Sequence, residues 1–96
     1  MKNHQDNLDK LRRLSEANGT VIIKDKLVEE LHELLVALED NDEDAIHEEM
    51  ADVTVLLVQY RMAEPVSSTV IDDIVEQKIA RTIERLKLDE DEEQEN

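Results

Sequence analysis

Apolar residues recur along the 96-residue chain mostly at three- and four-residue spacing, with polar and charged residues between them. That is the period of helices packed on one face. Leu8, Leu11 and Leu14, set among Asp, Lys and Arg, predict a short amphipathic helix that stops at Asn18-Gly19. Leu27, Leu31, Leu34, Leu35 and Leu38 predict a second helix from about Lys24 to Glu39, broken by Asp40-Asn41-Asp42. The β-branched run Thr20-Val21-Ile22-Ile23 between them fits either an extended segment or an early helical turn.

A third helix, from about Glu43 to Met62, is apolar on two sides: Val53, Leu56, Leu57 and Tyr60 on one, Ala51, Val55, Val58 and Met62 on the other. A chain this small has little with which to cover both, so homo-oligomerisation is expected. Pro65 stops this helix, and Ser67-Ser68-Thr69 followed by Asp72 and Asp73 reads as the start of a fourth, with Ile71, Val75, Ile79, Ile83 and Leu86 as its stripe. The expected fold is all-α: four helices in one domain over 1–88, completed as a bundle by oligomerisation. Residues 89–96 hold six carboxylates and are expected to form a disordered acidic tail.

Composition narrows the function. Gly and Pro occur once each and Cys is absent, so disulfides and thiolate metal sites are excluded. The N-terminal residues lack the apolar core of a signal peptide, and no stretch approaches the roughly 18 apolar residues of a membrane span, so a cytoplasmic protein without a membrane partner is expected. A net charge of −15 argues against direct nucleic-acid binding and leaves cations, basic partners or metal-borne nucleotides.

Within that acidity one pattern stands out. Glu30 and Glu33 lie three apart beside the second helix's apolar arc, and Glu49 and Asp52 repeat the spacing on the third. Stepping about 100° per residue puts Glu30 roughly 60° and Glu33 roughly 120° from Leu27, and Glu49 about 40° and Asp52 about 100° from Val53. A short turn makes the two helices antiparallel neighbours, so the four carboxylates can meet, and a cation would relieve their repulsion. Oxygen-only ligation favours hard cations, Mg2+ or Mn2+ first and Ca2+ less often. Glu29 and Glu48 point further out as supporting carboxylates. Asp40-Asn41-Asp42-Glu43-Asp44 opens like a calcium loop, but Ala45 stands where Gly is needed and Ala51 where the closing Glu belongs. His32 and His47 lack the second His of a zinc-protease helix and read as surface residues.

Glu29-Glu30-Leu31-His32-Glu33 followed by Glu48-Glu49-Met50-Ala51-Asp52-Val53 resembles the EExxE and ExxD motifs of the MazG-like nucleoside triphosphate pyrophosphohydrolases, above all the small phage and bacterial forms. The resemblance covers roughly Lys26 to Leu86. It implies an all-α dimer or tetramer with magnesium held by Glu30, Glu33, Glu49 and Asp52. It also implies water attack between the α and β phosphates, releasing a monophosphate and pyrophosphate. One of these four carboxylates, with Glu33 the first candidate, is expected to accept the proton of that water. Phosphates need positive charge, and Lys78, Arg81 and Arg85 form a stripe on the last helix, Lys78 and Arg81 at a spacing similar to the family's. Glu76 departs from the Asn of some relatives, and Tyr60 is the only aromatic residue, so base recognition is expected to rest on polar groups or a partner subunit, or to be broad. Two other readings remain: hydrolysis of phosphoribosyl-ATP, and a non-catalytic acidic helical protein that binds a basic partner or mimics the charge of DNA.

Overall fold

The computed structural model describes the backbone of residues 4–95 and the side chains of residues 5–87. Every element is helical: α1 His4–Asp40, α2 Glu43–Ala63 and α3 Pro65–Glu95. Among the described residues, no helix is long and apolar enough to cross a membrane.

The first two expected helices adjoin end to end across a kink at Gly19 and together make α1, so the four expected helical segments form three elements. α1 breaks only at Gly19, whose backbone (φ 74, ψ 166) lies where a side chain is strained. The expected stop is therefore present, but no loop follows it. Thr20 to Ile23 are helical, and Ile23 is fully buried. Burying that one side chain contributes about 1.5–3 kcal/mol, which outweighs the small helical penalty of β-branching.

The turn after α1 closes through Asn41, which adopts a left-handed conformation (φ 55). Its N–H donates to the Leu38 carbonyl (3.2 Å), and the Asp42 N–H donates to the Ala37 carbonyl (3.2 Å). This pair of bonds terminates a helix by satisfying its last carbonyls. Asp42 then caps α2, accepting a bond from the Ala45 N–H at 3.2 Å, with Glu43 and Asp44 in the first turn where negative charge is favoured.

α1 and α2 form an antiparallel hairpin whose seam follows a four-three spacing. On α1 it runs Ile23, Leu27, Glu30, Leu34, Ala37; on α2 it runs Ile46, Glu49, Val53, Leu56, Tyr60, all buried or half-buried. The seam differs from the expected arc on α1, because Leu31, Leu35 and Leu38 are 47%, 51% and 46% exposed and lie off it. At the open end Ser15 and Gln59 are buried, and Asn18 Nδ2 donates to Gln59 Oε1 at 3.5 Å. Lys24 lies over the Tyr60 ring, 5.8 Å from its centroid.

Residues 66–96 form a second unit, made of α3 alone beyond Pro65. α3 begins at Pro65 rather than after the Ser67-Ser68-Thr69 cap expected from sequence. Pro is favoured at a first helical position because its fixed φ is already helical and its missing N–H needs no partner. Glu64 before it takes a non-helical conformation (φ −128, ψ 73), as a residue preceding Pro does. Side chains of the expected acidic tail, 89–96, lie outside the described residues. The backbone of α3 nevertheless continues to Glu95, where extension costs little once a helix exists.

Candidate metal centre in the α1–α2 seam

Two seam positions that packing would fill with apolar groups are glutamates. Glu30 of α1 and Glu49 of α2 are half-buried at the same level of the hairpin, and exposed Asp52 lies one turn beyond Glu49. One carboxylate oxygen from each of the three lies within 4.8 Å of the others. Oε2 of Glu30 and Oε2 of Glu49 are both closed off from solvent without a hydrogen-bond partner. Such orphaned acceptors are costly and rare in folded proteins unless something else satisfies them.

The electrostatics follow from this crowding. The Glu30 carboxyl is raised from 4.5 to about 7, first by contact with the Glu49 carboxylate, then by burial and by Glu33. For Glu49, contact with Glu30 acts in the opposite, lowering sense, but burial and the charges of Glu33 and Asp52 outweigh it, so its carboxyl is also raised. The two groups therefore titrate as a pair, with the proton favoured on Glu30. A divalent cation can replace that proton and satisfy both orphaned oxygens, and an all-carboxylate donor set suits a hard cation.

Glu33 is exposed, close enough for its charge to raise both Glu30 and Glu49, but outside the tight group of three. It lines a cleft of about 340 Å³ that runs from Glu49 toward the α1–α2 turn. Glu29, Glu48, His32 and His47 are exposed, and His32 also borders this cleft. Lys78, Arg81 and Arg85 are exposed on α3, in the second unit. Helical periodicity does not reveal the cleft. Its one signal in the sequence is the pair of small residues, Ala37 and Ala45, on either side of the turn.

No curated protein and no solved structure matched the chain. A family model did: that of the MazG nucleotide pyrophosphohydrolase domain, over residues 20–88. The match begins just after the Gly19 break and contains every residue of the carboxylate cluster. Spanning well over half of the sequence, it shows that the chain belongs to the MazG nucleotide pyrophosphohydrolase family.

Proposed function

We propose that this protein hydrolyses (deoxy)nucleoside triphosphates to the monophosphate and pyrophosphate, with Mg2+, or Mn2+ in its place, held by Glu30, Glu33, Glu49 and Asp52. The observation that carries this reading is the pair of orphaned carboxylate oxygens placed in an otherwise apolar seam. A seam selected for stability alone would hold leucines there.

A bound cation would neutralise phosphate charge and acidify an attacking water. Glu30 and Glu49 fix the site because the packed hairpin holds their backbones. Asp52 opens it to solvent, where a substrate enters. Glu33, exposed beside the cluster, has a second carboxylate oxygen with which to accept the proton of the attacking water. Lys78, Arg81 and Arg85 carry the positive charge that a triphosphate needs. A homodimer or tetramer in the cytoplasm completes the proposal, because the hairpin and α3 expose many large apolar side chains.

The test is a panel of nucleoside triphosphates, together with phosphoribosyl-ATP, incubated with protein and magnesium and assayed for pyrophosphate. Magnesium-dependent pyrophosphate release that Glu49→Gln lowers by about two orders of magnitude supports the proposal. Absence of turnover on every substrate refutes it and favours a non-catalytic acidic binding protein.

A further inference from the structure

The cleft beside the carboxylate cluster suits part of a substrate that the cluster itself does not bind. Its apolar lining is exposed Val36, buried Ala37 and half-buried Ala45, and its inner end meets the cluster at Glu49, with Glu33 beside it. At about 340 Å³ it falls at the lower end of the range for small-ligand pockets. Asp40 and Asp42 line its outer end, and among the described residues no Lys or Arg lines it.

The sign of that lining sets the direction of a bound nucleotide. A phosphate chain entering the cleft would face the carboxylates of Glu33, Asp40, Asp42 and Glu49 against the single imidazole of His32, so the phosphates belong at the metal centre and the nucleoside in the cleft. The spacing agrees. Ala45 lies about 6 Å along α2 from Glu49, and Asp40 roughly 10 Å along α1 from Glu33. Those are the scales that separate a nucleotide's sugar and base from its α-phosphate.

Asp40 gives the outer end its selectivity. Asp42 already spends one oxygen on the Ala45 N–H, whereas among the described residues nothing hydrogen-bonds or ion-pairs with the Asp40 carboxylate. An ionised carboxylate only accepts hydrogen bonds. Cytosine, adenine and guanine each offer it an exocyclic amino group, and guanine offers a ring N–H alongside. Uracil and thymine offer one ring N–H flanked by two carbonyl oxygens, which the carboxylate repels.

Resting on the pyrophosphohydrolase reading, we propose that the Val36–Ala37–Ala45 cleft receives the nucleobase and that Asp40 selects bases bearing an exocyclic amino group. Asp40 is a specificity determinant and takes no part in the chemical step.

The experiment compares kcat/KM with magnesium for dATP, dCTP, dGTP, dUTP and dTTP, in wild-type protein and in Asp40→Asn. The expected result is a preference of about tenfold or more for the best amino-bearing substrate over dUTP and dTTP, the size of one charge-assisted hydrogen bond. Asp40→Asn, whose amide both donates and accepts, should narrow that ratio to about threefold, mainly by raising KM for the amino-bearing substrate. Equal rates on all five nucleotides, or an unchanged ratio in active Asp40→Asn, would overturn the proposal. If no triphosphate is hydrolysed, amide NMR shifts with dCMP or dUMP and magnesium decide separately. Shifts at Val36, Ala37 and Ala45 with dCMP that are weaker with dUMP sustain the cleft assignment even though the hydrolase reading has failed. Shifts centred elsewhere, or none, overturn it.

Discussion

At the scale of single residues, the molecule is defined by where Glu30 and Glu49 sit. Both occupy positions of a packed helical seam, and each keeps an oxygen without a partner. The arrangement costs stability when both groups are ionised, which gives a sign to its pH dependence. Folded Glu30 titrates at about 7 against an ordinary 4.5, so between those values the folded state holds a proton that the unfolded chain has released. The stabilisation is complete below about 4.5 and is lost as the pH rises to about 7. Melting temperature in EDTA should therefore fall across that interval, and Glu30→Gln should flatten the fall; an identical slope in the variant would contradict this origin. With magnesium present, Glu49→Gln should lower kcat/KM by about two orders of magnitude, the loss expected when several kcal/mol of metal-assisted stabilisation disappear. Steady-state kinetics checks it.

Much of this is legible in the order of residues. The three-residue spacing and helical geometry place Glu49 almost centrally. Glu30 reads as marginal because the leucines of the second helix pull its apparent arc toward Leu31, Leu35 and Leu38. Those leucines belong to a second apolar stripe, and one helix's sequence does not say which of two stripes meets its neighbour.

At the scale of elements, short signals of backbone chemistry are the most readable. Among the described residues, Gly19 and Asn41 take the positive-φ conformations, and Asp42 caps the helix that follows Asn41. A β-carbon at Gly19 would meet no atom within 4 Å, so any cost of Gly19→Ala comes from the backbone alone. It should destabilise the protein by about 1–3 kcal/mol in urea unfolding. Asp42→Ala removes the cap and should cost about 1 kcal/mol by the same measurement. The less readable places are those where tertiary packing overrides local preference. Thr20 to Ile23 is ambiguous by propensity, yet burial of Ile23 commits the segment to helix. Pro65 reads as an ending, but it is equally a first helical residue, and the chain uses it so.

At the scale of the whole molecule, apolar exposure is the dominant fact. Leu31, Leu35, Leu57, Val70, Ile79 and Leu86 are all between 46% and 58% exposed. Surfaces of that kind mark interaction sites, so light scattering should give a mass at a multiple of 11.1 kDa; a mass of 11.1 kDa would contradict the oligomer. The expectation of such pairing comes from the two apolar sides of the third helix, and the exposed apolar side chains are consistent with it, whereas its geometry depends on facing surfaces that periodicity does not specify.

A net charge of −15 means that cations will gather at many places, so the decisive question is where one binds specifically. Paramagnetic broadening of amide signals by substoichiometric Mn2+ measures this directly. Signals around Glu30, Glu49 and Asp52 should vanish first and return when excess Mg2+ is added. Broadening centred instead on the acidic turn at Asp40–Asp44, or spread evenly along the chain, would contradict a metal centre in the seam.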